Sequence, residues 1–258
     1  MSDRADLTGK VAIVTGGAAG LGLAIAGVLA EQGASVAIVD IDEPSATAAV
    51  ELLPAAAVAH RSYQADVSEP AEVDGAVAAV VRDFGALDLL VNNAGIARIG
   101  PHTQDVSDED WKASIGVMQD GVFYGMRAAG RVMLAQGHGC VVNIASIRAF
   151  STNPGRLAYC AAKAAVVAMT RVAAVEWGPS GVRINAIAPG VMRTAMWDRA
   201  VARGLLDEAH YEQTVPLGHV GDPRDVGELV AFLASDRARY ITGSLVTVDG
   251  GLTAVPAG

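Results

Sequence analysis

Three side chains in one short stretch could act on a single oxygen atom. Ser146, Tyr159 and Lys163 bring a hydroxyl, a phenol and an ammonium into the segment SIRAFSTNPGRLAYCAAK. Tyr159 and Lys163 are four residues apart, so a helix sets them one turn apart on the same face. Ser146 lies thirteen residues before Tyr159 and ends an apolar run, CVVNIAS, that reads as a buried strand. The group suits proton transfer at an oxygen while hydride moves at the adjoining carbon. A free phenol titrates at about 10, too high for a base at neutral pH, and an ammonium beside it favours the phenolate. Tyr159 could then protonate a ketone oxygen or deprotonate an alcohol, with Ser146 holding that oxygen. The same spacing also occurs in surface pairs with a solvated lysine. The rest of the chain must therefore build a cofactor site in front of it.

The upstream elements suit that purpose. Val11–Thr15 (VAIVT) is a short apolar run with β-branched residues, as in a strand buried on both faces. The glycines of TGGAAGLG follow at Gly16, Gly20 and Gly22, then a helical apolar pattern that ends at Gly33. A glycine-rich turn between strand and helix lets the backbone approach a pyrophosphate, whose charge meets the helix N-terminus. No Gly-Lys-Ser/Thr follows, which sets an NTPase loop aside. Ser35–Asp40 is a second buried strand ending on a carboxylate. Asp40 is the acid expected to accept hydrogen bonds from an adenosine ribose; the alternative is a strand-end turn cap. Its charge repels a 2′-phosphate, and neither Gly17 to Ala19 nor Ile41 supplies a compensating Arg or Lys, so NAD is expected over NADP. Asp66, at the end of a third strand, either reaches the adenine or caps a helix before Val67–Pro70. Asn92-Asn93-Ala94-Gly95 either ties neighbouring strands or lines the cofactor groove.

The alternation continues to the C-terminus. Helices are expected from Pro44 to about Leu53, over Pro70–Phe84, over Asp108–Gln136 (with a bend at Gly116, Gly121 or Gly125), and over Leu157–Trp177. Two more are expected at about Met196–Gln213 and Pro223–Ala234. The intervening strands are His60–Asp66, Leu87–Asn92, Cys140–Ala145, Arg183–Ala188 and Ser244–Val248. This order predicts an α/β fold, a doubly wound parallel sheet with helices on both faces, in one domain over 1–258. With 258 residues, 52% of them apolar, the chain can fill a large core. Its formal charge is 19 − 28 = −9 with no basic run longer than two residues, which argues against a nucleic-acid partner. Cys140 and Cys160 are too few for a disulfide framework or a zinc site, and both are expected to be buried free thiols. No metal site is expected. The start, MSDRADLTGK, has no apolar signal region, and no unbroken apolar span reaches the roughly 20 residues of a membrane helix. A soluble cytoplasmic protein without a membrane partner is the expectation.

Taken together, TGGAAGLG, Asp66-Val67, NNAG, the Ser146–Tyr159 spacing, YCAAK, RINAIAPG (Arg183–Gly190) and VDGG resemble the short-chain dehydrogenase/reductase superfamily, classical type, over nearly the whole length. The resemblance implies a single Rossmann-type domain with a seven-stranded parallel sheet. It implies that Tyr159 is the acid/base, that Lys163 tunes it and holds the nicotinamide ribose, and that Ser146 orients the substrate. Leu21 would offer backbone to the pyrophosphate, and Pro189-Gly190-Val191 with Thr194 would meet the nicotinamide carboxamide. The NAD site then comprises Gly16, Gly20, Leu21, Gly22, Asp40, Ile41, Asp66, Val67 and Asn93-Ala94-Gly95 besides these. The spacing from Trp111 to Gly121-Val122-Phe123 puts Met118 where the family usually carries an asparagine. In the family, that residue's main-chain carbonyl holds a water that links the lysine to solvent, so the relay is expected to survive through the Met118 backbone. The resemblance also implies a homotetramer, pairing the long helices and the last strand with its tail, Leu252–Pro256.

Substrate residues are expected around the catalytic serine and tyrosine and in a lid at about 191–215. Arg148, Asn153 and Arg156, then Met196 and Trp197, are the candidates. Two arginines there could bind an anionic or polyhydroxy substrate, or face solvent or a neighbouring subunit. The expected activity is NAD(H)-dependent interconversion of a secondary alcohol (a polyol, sugar or hydroxy acid) and its ketone. The same motifs also serve a 3-oxoacyl-thioester reductase, against which Asp40 counts. A nucleotide-binding regulator without turnover is supported only by Met118, and a Rossmann-type methyltransferase has no use for YxxxK.

Overall fold

The computed structural model describes residues 6–56, 59–96, 100–204 and 206–254, and within them every side chain but that of Met196. Seven strands form one parallel sheet: β1 (Val11–Thr15), β2 (Ser35–Asp40), β3 (Arg61–Gln64), β4 (Leu89–Asn92), β5 (Gly139–Ile144), β6 (Val182–Pro189) and β7 (Leu245–Val248). Their order is β3-β2-β1-β4-β5-β6-β7. The chain therefore winds outward from β1 to β3, crosses back to β4 and winds the other way. That reversal opens a crevice above the C-terminal ends of β1 and β4, where open sheets of this kind bind ligands. β1 is buried throughout and β4 likewise, as continuous apolar runs covered on both faces must be.

Nine helices cover the sheet among the described residues: α1 (Gly20–Glu31), α2 (Glu43–Glu51), α3 (Pro70–Phe84), α4 (Asp108–Ile115), α5 (Gly121–Gln136), α6 (Leu157–Trp177), α7 (Ala195–Ala202), α8 (Glu208–Thr214) and α9 (Pro223–Ala234). On one face Ile25 and Leu29 of α1 pack with Val226 and Val230 of α9 against Val14, Val36 and Ile38. On the other, Val77 and Val80 of α3, Met126 and Met133 of α5 and Val166 of α6 meet Ile13, Leu90 and Val141. Local signals set the ends. Pro70 opens α3 and Gly85, in the left-handed region, closes it. Asp222 and Asp225 form a reciprocal capping box around Pro223 at the start of α9.

Several expectations need correction. The helix expected over Asp108–Gln136 is two helices joined by a π-helical turn, Gly116–Asp120, with Met118 buried in it. Gly125 does not bend the chain; a Cβ there would lie 2.3 Å from Asn92 Oδ1, so the glycine lets α5 approach β4. The pattern over Met196–Gln213 is also two helices, α7 and α8. It breaks at Arg203-Gly204, and Asp207 then caps α8 through the amide of Ala209. Cys140 is buried, but Cys160 is partly exposed. Leu157–Ser180 has a mean hydropathy of 1.4 over an 18-residue window, enough in length and composition to cross a membrane. Lys163, Arg171 and Glu176 interrupt it, and α6 packs against β6. The last residues of the expected interface tail, 255 and 256, lie outside the described residues, as does position 205 within the expected lid.

Candidate active site

A cavity of about 920 Å³ occupies the crevice above β1 and β4. Ser146, Tyr159 and Lys163 open onto it, and so do all the expected nucleotide residues except Val191. The chemistry-bearing stretch and the glycine-rich turn, far apart in sequence, thus face one space.

The glycine turn has the shape a pyrophosphate needs. At Gly22 a Cβ would sit 2.1 Å from the Gly16 carbonyl oxygen and 2.5 Å from Asn93 Nδ2, so only hydrogen fits where α1 meets β4. Gly20 has φ +56°, and a Cβ there would project toward Thr194 Cγ2 at 3.9 Å, across the cavity. Ala19 at the N-cap offers no side-chain acceptor, and the first turn of α1 carries no carboxylate. The amides at the start of α1 therefore point, with the positive end of the helix dipole, at an uncapped position suited to phosphate. A dinucleotide fits this cradle.

Asp40, at the end of β2, accepts from the amides of Ala18 (3.1 Å) and Asp42 (3.2 Å). It steadies the glycine turn, as the turn-cap reading expected, and it also lines the cavity. Asp66 Oδ1 accepts both the amide (2.8 Å) and the hydroxyl (2.7 Å) of Ser68, and α3 starts after Glu69 instead. The two asparagines tie neighbouring strands, and Asn93 also faces the cavity. Asn92 Nδ2 donates to Asn143 Oδ1 at 2.8 Å between β4 and β5. Asn93 Nδ2 donates to the carbonyls of Thr15 (2.9 Å) and Gly16 (3.0 Å) and still lines the cavity.

Ser146 follows β5 and is buried; its Oγ accepts from the Arg148 amide at 3.1 Å. Tyr159 and Lys163 lie on the first turns of α6. Lys163 is only 4% exposed, and its Nζ donates to the Ile144 carbonyl at 2.7 Å. That bond anchors the ammonium to the strand that delivers Ser146 and holds it 5.9 Å from the Tyr159 ring centre. Burial pulls its pKa down from 10.5 to about 8.

Of the substrate candidates, Arg148, Asn153, Arg156 and Trp197 stand outside the cavity lining, and the Met196 side chain lies outside the described residues. Arg148 is turned to its own loop, donating to Ser151 O (3.2 Å) and Asn153 Oδ1 (2.8 Å). Arg156 lies 5.9 Å from the Tyr159 ring centre. Trp197 is 6% exposed, packed edge-on against Tyr211 at 5.0 Å. Its indole Nε1 is buried without a hydrogen-bond partner among the described residues. None of these side chains lines the cavity; Met192, Thr194, Ala195 and Arg199 do on the lid side, and Lys112 and Val117 on the other. Arg199 and Lys112 carry no sequence signal. Asn143 does: a fully buried amide inside an apolar strand, it also donates to Thr170 Oγ1 of α6 at 2.9 Å. The chain of Asn92, Asn143 and Thr170 thereby couples β4 and β5 to α6.

The family model described as enoyl-(acyl carrier protein) reductase matches residues 16–253. The chain is 39% identical over 251 residues to D-threitol dehydrogenase of Mycolicibacterium smegmatis, covering 96% of this chain and 94% of that one. It is 35% identical over 248 residues to the NAD-dependent glycerol dehydrogenase of Listeria innocua, covering 96% and 95%. The crystal structure of a short-chain type dehydrogenase/reductase from Mycobacterium marinum superposes with a TM-score of 0.90 at 31% identity, covering 98% and 99%. With the glycine turn, the parallel sheet and the Ser146–Tyr159–Lys163 cluster in one cleft, the chain belongs to the short-chain dehydrogenase/reductase family of nicotinamide-dependent oxidoreductases.

Proposed function

We propose that this protein oxidises a secondary alcohol, of the small polyol class, to its ketone with NAD, and runs the reverse with NADH. The observation that carries the reading is the opening of Ser146, Tyr159 and the buried Lys163 onto the same cavity as the glycine turn and Asp40. Nicotinamide, when bound, accepts or supplies the hydride. Tyr159 takes the alcohol proton at its phenolic oxygen during oxidation and returns it to the ketone oxygen during reduction. Ser146 Oγ holds that same oxygen. Lys163 sets a positive charge beside the phenol, which favours the phenolate through the transfer. Met118, in the π-helical turn beside Gly95, offers the relay its carbonyl rather than its side chain.

NAD is preferred because the Asp40 carboxylate, which lines the cavity at the end of β2, would repel a ribose 2′-phosphate, with no cation among Gly17 to Ala19 or at Ile41 to offset it. A polyol is supported by the names of the two relatives above. Residues 191–215 act as a lid over the substrate end of one domain. A homotetramer is supported by apolar side chains standing in solvent on the long helices: Phe123 of α5, and Val172 and Val175 of α6 at 59% and 79% exposure. Light scattering of the purified protein checks it; a monomer contradicts it.

The test of the reaction is absorbance at 340 nm with NAD or NADP against tetritols, glycerol, simple secondary alcohols and a 3-oxoacyl thioester. Turnover of polyols with NAD is expected. Turnover confined to the thioester with NADPH would establish the reductase reading instead, and tight NADH binding with no turnover would establish a regulator.

A further inference from the structure

We infer that Arg199 is a phosphate-binding residue that closes over the pyrophosphate of the dinucleotide from the lid side. The inference rests on the reading of the cavity as an NAD(H) site and adds a residue that none of the family motifs contains. Among the described residues, three cationic ones line the cavity: Lys112, Lys163 and Arg199. Lys163 is engaged by the Ile144 carbonyl. Lys112 belongs to α4, whose neighbour Gly116 faces Ser68 (a Cβ would lie 3.5 Å from Ser68 Cβ), and so stands near the Asp66 turn, at the adenosine end.

Arg199 stands at the other wall. Thr194, at the N-cap of α7, is the residue a Gly20 Cβ would meet at 3.9 Å, so α7 begins against the glycine turn. Ala195 and Arg199 are four residues apart, share a helix face and both line the cavity. The buried Trp197, wedged on Tyr211, fixes the rotation of α7 that presents this face. Arg193, on the same segment, is paired with Glu208 and Asp198. The Arg199 guanidinium makes no hydrogen bond or ion pair among the described residues. An uncommitted guanidinium beside uncapped amides of α1 gives a phosphate two opposed sets of donors, and its fork matches a pair of phosphate oxygens. A polyol substrate carries no anion for it to meet.

The experiment is a fluorescence titration of the full chain and of Arg199→Ala, Arg199→Lys and Arg203→Ala with NADH, ADP-ribose and adenosine. Loss of a charge-assisted hydrogen bond predicts about tenfold or greater weakening of NADH and ADP-ribose binding by Arg199→Ala. Arg199→Lys should fall between, since it keeps the charge without the fork. Adenosine affinity should not change in any variant, and Arg203→Ala, removing a lid cation that does not line the cavity, should bind all three as the parent does. Unchanged NADH affinity in Arg199→Ala overturns the inference, and so does an equal loss for adenosine, which would mark a packing effect. An effect confined to the KM of the alcohol overturns it too, by placing the contact on substrate. Failure of the parent chain to bind NADH or NADPH would instead remove the cofactor reading itself.

Discussion

The two ends of the β-strands carry similar residue types and use them differently. At the N-terminal ends, charges and thiol are consumed by the fold. Lys10 Nζ meets Asp88 at 3.1 Å, the Val11 amide donates to the same carboxylate at 3.0 Å, and Arg183 reaches the carbonyls of Ile241 and Ser235. The Cys140 thiol there donates to Leu233 O, and burial pushes its pKa up to about 11. The cavity among these groups is about 120 Å³. At the C-terminal ends the cavity is about 920 Å³, and Tyr159, Lys112 and Arg199 stand in it. The lesson is that a cation or a thiol announces nothing by type. What matters is whether the fold has already supplied its partner.

Substitutions at the two ends should therefore separate. The largest effect is expected at Gly22, where a Cβ has no room against the Gly16 carbonyl. Gly22→Ala should lose about 3 kcal/mol or more in denaturant unfolding, in the range reserved for steric or buried-site damage; a loss below about 1 kcal/mol would mean the turn can relax. Next comes Lys163. Its proton leaves at about pH 8 in the fold and at 10.5 in the unfolded chain, so between those values the unfolded state binds more protons. Stability must then rise with pH across that window, by up to about 3 kcal/mol at about 1.4 kcal/mol per pH unit. Urea unfolding of the cofactor-free parent and Lys163→Met from pH 7.5 to 10.5 isolates this: the difference should move in favour of the parent as pH rises. A flat difference would show that the ammonium is better solvated than its burial implies.

At the N-terminal ends the expected effects are smaller and confined to stability. Asp88→Asn weakens the pair with Lys10 and the bond to the Val11 amide, for about 1–2 kcal/mol, with kcat unchanged. A fall in kcat would erase the contrast between the two ends. The smallest effect is expected from Met118→Asn, because the proposed relay would use a main-chain carbonyl that both residues have. Turnover should stay within about tenfold, equivalent to roughly 1.4 kcal/mol of barrier, and a larger rise would show the relay of the parent to be impaired.

The sequence displayed the nucleotide end well because its requirements are backbone requirements. Gly16 and Gly22 are needed where no Cβ fits and Gly20 where φ is positive, and buried parallel strands must be apolar on both faces. The pairing of Tyr159 with Lys163 was legible because helical spacing dictates it. The lid was not. Whether Arg148 faces a substrate or its own loop depends on Ser151 and Asn153, and nothing in a spacing foretells that choice. The π-helical turn at Gly116–Asp120 is a register defect of one residue, invisible to periodicity. Arg199 emerges only when α7 is docked against the glycine turn.

The most direct test of the account is Tyr159→Phe, which keeps the ring and removes the proton. NADH formation from a polyol at 340 nm should fall by about 10² to 10⁴-fold, the contribution of a positioned acid/base, while fluorescence titration shows NADH bound as tightly as in the parent. Turnover retained in Tyr159→Phe would contradict the assignment of the proton step to this residue.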